Sequence, residues 1–426
     1  MSFWRGIRSR VSAWRRPSLR LPEWQPGRGA SSLASILSLV GLIAAGFLTF
    51  SLIQNPVPLP ERAQPTSGAS VTPYTGLLSS KPSGGIVSGG KVSPGGSVAY
   101  AKGGNIYVQT GTKVIEVVAS KNGSVASQPT WSPDGSWLYY IDSRPTHGWW
   151  PNPNEAGYDY YLLPIPVLAR VRPDGIGQQD ILSGLIQQRK LTTFFWITHP
   201  SISPDGLTAA VISDGPTVPG FYDNVLRFID IGTGSFRNTP VLHEVSPFGH
   251  SDPAYSPNGK QVAYVMETRY GSAGDPSLWL YDVASKTSAY LATGYRNPSW
   301  SPDGKYIAVT RSGAWKPDIA IIDASTGKQV GQITSDGQSW APVWSPAGDA
   351  LIYMHLDGST AGLRMVYVSV TDGQLWFQAE TNLIDILGLD SGSAPAWYTP
   401  PSTRPAPTPS PSPSSSSSPL PSASAS

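Results

Sequence analysis

The sequence of 426 residues contains no cysteine. That absence excludes disulfide frameworks, thiolate zinc sites, iron–sulfur clusters and thiol nucleophiles together. Histidine is also scarce. The five copies (His147, His199, His243, His250 and His355) show neither a His-x-x-x-His pair nor other metal spacing, so no metal and no cofactor are expected. No Gly-x-Ser-x-Gly elbow is present, which removes the hydrolase signature that such a motif would carry. Charge is sparse at 14% and unevenly placed. Residues 1–30 hold seven Arg and one Glu, while the remainder carries 23 basic against 27 acidic groups, a net −4. The part beyond residue 30 is therefore mildly acidic, and nucleic-acid binding is not expected of it.

What the chain has in abundance is Gly (44), Pro (42), Trp (15) and Tyr (19). Turn formers and aromatics at that level suit many short strands and few long amphipathic helices. One segment departs from this pattern. Leu33 to Ile53 is an uncharged run of 21 residues, enough to cross roughly 30 Å of hydrocarbon as a helix. Seven Arg precede it and the first charge after it is Glu61, so the positive-inside bias predicts a cytoplasmic N-terminus and an extracytoplasmic remainder. The run exceeds a signal-peptide core and is followed by Gln54-Asn55-Pro56, a poor cleavage context, so an uncleaved anchor is expected.

The organisation read from composition is a cytoplasmic Arg-rich segment at 1–30, a transmembrane helix at 31–54 and a flexible Pro/Ser/Gly linker at 55–88. A folded domain at 89–400 follows, then a tail at 401–426 made almost wholly of Pro, Ser, Thr and Ala, which cannot bury enough surface to fold and leans towards polyproline II.

Within 89–400 one motif repeats. Trp131-Ser-Pro-Asp-Gly135 recurs at Ile202–Gly206, Tyr255–Gly259, Trp300–Gly304 and Trp344–Gly348, with a degenerate first copy at Val92–Gly96 and a truncated last one at Trp397–Pro400. Most copies lie 39 to 54 residues apart, and the longer interval after Pro133 holds an insertion. Ser, Pro, Asp and Gly suit the four positions of a type I turn. Strand-like runs follow each turn, such as Gln261–Met266, Leu278–Val283 and Thr287–Ala292. One strand before the turn and three after it make a four-stranded propeller blade. Six copies have a full set of strands, so an all-β, six-bladed propeller is expected, closed by the C-terminal strand joining the first blade; seven blades is the alternative.

These repeats resemble those of the TolB family, which are similar to the propellers of tricorn-like proteins and prolyl oligopeptidases. Arg170-Val-Arg-Pro-Asp-Gly175 with Gly177–Leu182 resembles the turn between the third and fourth strands of such blades. The resemblance covers about residues 89–400 and implies a fold, not an activity.

Two places are candidates for function. The residue before each repeat's first Pro begins an innermost strand, which collects Gln128, His199, Asp252, Asn297, Ala341 and Ala394 at one mouth of the channel. Arg296 and Trp340, one position earlier in their copies, join them. Gln128, His199, Asp252, Arg296, Asn297 and Trp340 form the candidate ligand site, with a possible His199–Asp252 partnership and a Trp340 stacking face; the bland alternative is a polar channel that merely satisfies strand ends. His250, seven residues before its Pro, is a further candidate to approach the channel. The second place is the insertion at 143–161, a loop that concentrates His147, Trp149, Trp150, Tyr158, Tyr160 and Tyr161. It is either a partner-binding surface or a local core folded back over the domain. The leading expectation is a non-catalytic binding module for an envelope protein, peptide or glycan. The alternative is a carbohydrate- or small-molecule-active enzyme at the channel mouth.

Overall fold

The computed structural model describes residues 92–400 apart from 152–155, 189–190, 217–223, 238–240, 242–248, 268–274, 314–315, 372–373 and 378–381. The expected anchor, linker and tail lie outside the described residues. Among the described residues there is no helix, and so none long and apolar enough to cross a membrane.

Six antiparallel sheets form the propeller. Blade one contains β1 (Ser97–Lys102), β2 (Asn105–Thr110) and β3 (Lys113–Val118). Blade two contains β4 (Val125–Trp131), β5 (Leu138–Pro151), β6 (Tyr158–Val171) and β7 (Gln179–Ser183), followed by a separate hairpin, β8 (Leu185–Gln188) and β9 (Leu191–Phe194). Blade three is β10 (Thr198–Ile202), β11 (Thr208–Ser213), β12 (Val225–Asp230) and β13 (Ser235–Arg237). Blade four is β14 (His250–Tyr255), β15 (Gln261–Met266), β16 (Ser277–Asp282) and β17 (Thr287–Thr293). Blade five is β18 (Tyr295–Trp300), β19 (Tyr306–Gly313), β20 (Lys316–Asp323) and β21 (Gln329–Gln332). Blade six is β22 (Ser339–Trp344), β23 (Ala350–Asp357), β24 (Thr360–Thr371) and β25 (Gln374–Phe377), with β26 (Asn382–Leu387) also pairing β24. The last strand, β27 (Ala396–Tyr398), pairs β1 with Val98 opposite Trp397, so it takes the innermost place of blade one. The weak Val92-Ser93 copy forms no strand there.

The middle strands carry continuous apolar runs because each blade is covered on both faces. All six residues of β11 are buried, and between blades four and five Val265 and Leu278 pack on Ile307, Val309, Ala320 and Ile322.

The Ser-Pro-Asp-Gly motif acts as the turn that its residue types predict. Ser132 Oγ donates to Asp134 Oδ1 at 2.6 Å and accepts from the Trp137 N–H at 2.9 Å, while Gly135 exits at φ 72°. Ser203 and Ser301 make the same bond to Asp205 and Asp303, and Ser256 makes it to Asn258. In the copy where Ala347 replaces the acid, Ser345 turns to Asp349 instead, at 2.6 Å. The serine bonds hold the carboxyls of Asp134 and Asp205 below their ordinary range, since they stabilise the charged form. These acids are turn formers.

The insertion at 143–161 is a strand extension where a loop was expected. β4 stops pairing at Val125–Ser143, but β5 and β6 stay in unbroken register for eight more pairs, Arg144–Ile165 through Pro151–Tyr158. At strand rise this ribbon projects about 27 Å beyond the blade. At its base Arg144 binds Asp142 through Nε at 2.7 Å and Asp180 in a two-pronged pair at 2.6 and 2.7 Å.

Candidate functional site

The innermost strands share one local deformation. In blades two to six the pairing shifts register across the X-Pro step, for example between Ser251 and Ala254. The residue before the proline takes a positive φ in each: Gln128 55°, His199 51°, Asp252 49°, Asn297 47° and Ala341 51°. This bulge tilts a backbone N–H away from its own sheet, and the proline, lacking an N–H, tolerates the unpaired inner edge.

Four of those tilted N–H groups find acceptors on the preceding blade. The Gln128 N–H donates to Ser393 Oγ at 2.7 Å, and the His199 N–H donates to Gln128 Oε1 at 2.7 Å. Asn297 donates through both N–H and Nδ2 to Asp252 Oδ2, at 3.0 and 3.1 Å. Thr310 Oγ1 donates to Asn297 Oδ1 at 3.0 Å and accepts from the Ala341 N–H at 2.9 Å. A deeper layer repeats the device, with Ser201 Oγ accepting from Tyr255 N–H and Ser299 Oγ from Trp344 N–H, both at 3.1 Å. Trp131 and Trp300 add indole bonds to the Ala396 and Ala254 carbonyls, at 3.2 and 3.0 Å.

The structure thus brings together all six residues expected at the mouth. Gln128, His199, Asp252, Arg296, Asn297 and Trp340 line one channel of about 1240 Å³. Gln128, Asp252 and Asn297 are at the same time links of an inter-blade belt. His199 Nε2 stands 3.6 Å from Asp252 Oδ1, beyond hydrogen-bond reach. Arg296 is held at 2.5 Å by Glu267, whose other oxygen accepts from Ser251 Oγ at 2.6 Å. The Trp340 indole donates to the Ser391 carbonyl at 3.1 Å. Sequence reasoning passed over Glu267 because it follows a strand with no motif of its own, and only blade-to-blade packing sets it beside Arg296.

His250 does not approach the channel. It is buried in blade four against Tyr264, ring centroids 4.7 Å apart, and its Nδ1 accepts from the Leu226 N–H at 3.1 Å. Burial pushes its pKa down to about 4. His355, near the mouth end of blade six, lies between Asp336 and Asp357 at 3.0 and 3.1 Å, with Arg364 on Asp357. Among the described residues no cluster of three His, Cys, Asp or Glu is arranged to hold a metal ion.

The second candidate divides by strand alternation. On one side of the ribbon Trp150 stacks on Phe194 at 4.7 Å and meets Trp196 edge-on at 6.4 Å, over buried Leu163 and Ile165. Gly148 lies on this side because a Cβ there would stand 2.5 Å from the Thr192 carbonyl oxygen of β9. Tyr161, also on this side, is exposed and donates to Asp159 Oδ2 at 3.1 Å. The other side carries His147, Trp149, Tyr158, Tyr160 and Leu162, all exposed, with Tyr160 at 57% and Leu162 at 60%. Tyr160 stacks on His147 at 5.6 Å and meets Trp149 at 5.0 Å. The insertion is therefore a local core on one face and an open aromatic surface on the other.

Antiparallel four-stranded blades in a closed ring of six define a β-propeller. No family model matches the chain. An 80-residue stretch is 31% identical to the Tol-Pal system protein TolB of Alcanivorax borkumensis, covering 18% of this chain and 17% of that protein. A 108-residue stretch is 25% identical to the uncharacterised peptidase YuxL of Bacillus subtilis, covering 24% of this chain and 16% of that one. The matched stretches thus span about a sixth of either relative's length. Among solved structures, TolB from Acinetobacter baumannii superposes with a TM-score of 0.47 at 18% identity, over 71% of this chain and 66% of that one. The propeller has TolB-like structural neighbours and a weak TolB homologue.

Proposed function

We propose that this chain is a non-catalytic binding module tethered to a membrane by residues 31–54, with the propeller extracytoplasmic, and that it presents the ribbon to an envelope protein, peptide or glycan. The observation that carries the reading is the open face of Trp149, Tyr158 and Tyr160 on a ribbon whose other side is packed on Phe194 and Trp196. Clustered exposed aromatics on a soluble domain mark contact surfaces. The belt supports the non-catalytic half: two of the mouth side chains, Gln128 and Asp252, already cap backbone groups of the next blade. The uncharged run 33–53 with its Arg-rich flank supports the tether.

The competing reading, an enzyme at the channel mouth, draws on His199 beside Asp252. Both bonds from Asn297 fall on Asp252 Oδ2, and Oδ1 stands 3.6 Å from His199 Nε2, beyond hydrogen-bond reach, so no His–Asp pair is assembled there.

The test is affinity capture from an envelope extract, and on purified wall glycan, with the intact chain against the Trp149→Ala/Tyr160→Ala double variant. Loss of a specific ligand with an unchanged melting temperature supports the reading. Equal capture by both proteins refutes it.

A further inference from the structure

The ribbon's open face has an unusual composition for a surface. Residues sharing it by register are His147, Trp149, Tyr158, Tyr160, Leu162 and Pro164, with no carboxylate, lysine or arginine among them. An anionic occupant would lose hydration there without meeting a lysine or arginine, and a cationic one would meet no carboxylate. The face therefore suits a neutral ligand. Residues beyond 30 also sum to 23 basic against 27 acidic groups, a balance that disfavours an anionic lipid surface.

Ring geometry narrows the class. The Tyr160 ring lies 5.0 Å from Trp149 and 5.6 Å from His147, centroid to centroid, so the rings touch. Touching rings leave no slot for a proline or leucine side chain to enter, and peptides anchor on aromatic grooves through such slots. Main-chain docking is limited too. Pro145 and Pro164 stand opposite each other near the ribbon's base, and neither has an N–H to offer an added strand. What remains is a platform with polar tips. The Trp149 indole N–H and the hydroxyls of Tyr158 and Tyr160 make no hydrogen bond among the described residues. A matching ligand is apolar on its flat side and rich in hydroxyls at its edge. A pyranose ring is built that way: its C–H groups pack on aromatic faces while its hydroxyls bond to the tips.

The length of the platform calls for more than one sugar. Three successive rungs carry it, His147–Leu162, Trp149–Tyr160 and Pro151–Tyr158, spanning about 14 Å at strand rise. Its back is already packed, with Trp150 on Phe194 and Trp196, so little ordering cost is left for binding. On these grounds we infer that the open face binds a neutral polysaccharide chain, laid along the ribbon with its sugar rings on Trp149, Tyr160 and Tyr158. This rests on the reading of the ribbon as the binding surface and commits it to one class of ligand.

The experiment uses the full chain in micelles of a detergent without a sugar headgroup. Cellohexaose and chitohexaose, both neutral, are titrated by calorimetry, with hexagalacturonate as the charged control. The expected result is saturable binding of at least one neutral hexamer with a Kd below about 1 mM, and no binding of the control. Affinity should fall at least about tenfold in Trp149→Ala/Tyr160→Ala. It should fall about threefold in Tyr158→Phe/Tyr160→Phe, which keeps the rings and removes only their hydroxyls. Circular dichroism and melting check that both variants are folded. Silence of both neutral hexamers overturns the proposal, as does equal binding of hexagalacturonate or unchanged affinity in either variant. Binding to phosphatidylcholine–phosphatidylglycerol vesicles, or dimerisation, that depends on Trp149 and Tyr160 while the hexamers are silent also overturns it. If the hexamers are silent but capture of an envelope protein is lost in Trp149→Ala/Tyr160→Ala, the ribbon remains a binding surface and only this ligand class falls, so the two readings fail separately.

Discussion

The Tyr398 hydroxyl donates to the main-chain oxygen of Asp134 at 2.7 Å, binding the last strand of the ring to the first intact turn across 264 residues of sequence. The contact is also steric. A Cβ at Gly135 would lie 2.2 Å from the Tyr398 ring, and Gly135 sits at φ 72°. Gly135→Ala is expected to cost at least about 2 kcal/mol through strain and clash, and Tyr398→Ala about 3 kcal/mol through a lost bond and a cavity. Urea unfolding of each variant checks this. Ring closure would be unimportant if both left the midpoint unchanged.

Asp252 serves as a belt link, so its shape matters more than its charge. Asp252→Ala leaves the Asn297 N–H without its acceptor and is expected to destabilise by about 1–3 kcal/mol. Asp252→Asn keeps an oxygen in place and should recover most of the loss. Denaturation midpoints of the two variants measure the difference. Equal losses would mean the carboxylate charge, not the acceptor, is what the belt uses.

His250 makes the propeller acid-sensitive. Its pKa is about 4 when folded against an ordinary value of 6.5, so the unfolded chain binds the proton first. The contribution is fully present above pH 6.5 and is lost as pH falls towards 4, by about 3 kcal/mol in all. Protonating Nδ1 would also remove the acceptor of the Leu226 N–H. His250→Gln should flatten the stability difference between pH 7 and pH 4.5 by roughly 2–3 kcal/mol, read from urea curves at both. An unchanged slope would place the acid sensitivity elsewhere.

Gly148 lets the β8–β9 hairpin close on the ribbon. Gly148→Val sets a side chain against the Thr192 carbonyl and should lift the hairpin from Trp150. Expected are a red shift in tryptophan emission and faster proteolysis between Leu185 and Phe194, with the propeller's main unfolding transition shifted by no more than about 1–2 kcal/mol.

Much of the ring was legible because the motif is chemically self-sufficient: Ser, Pro, Asp and Gly make the same turn wherever they occur, and Gln261–Met266 is a strand with the boundaries that its residues predict. The mouth residues were legible by repeat register alone, and all six line the channel. Their roles were not. That Gln128 caps the next blade's His199 depends on a bulge angle, and the sequence carries no mark of that angle beyond the X-Pro step. The insertion reads as a loop in the sequence because prolines such as Pro145 and Pro151 normally break strands; here they lie in a two-stranded ribbon whose outer edges have less to pair with. His250 was drawn towards the channel by its distance from the proline, but at the first position of β14 its ring turns into the sheet and finds Leu226.

The use of Ala396–Tyr398 as the inner strand of blade one has a consequence for biosynthesis. During synthesis the inner edge of Ser97–Lys102 stays unpaired until almost the whole domain has been made, because its partner is the last of the described strands to be translated. Five blades can assemble in order as they emerge, but the first stays open at its inner edge, an aggregation hazard for any nascent or exported chain. A premature stop anywhere before residue 396 therefore leaves an unclosed ring.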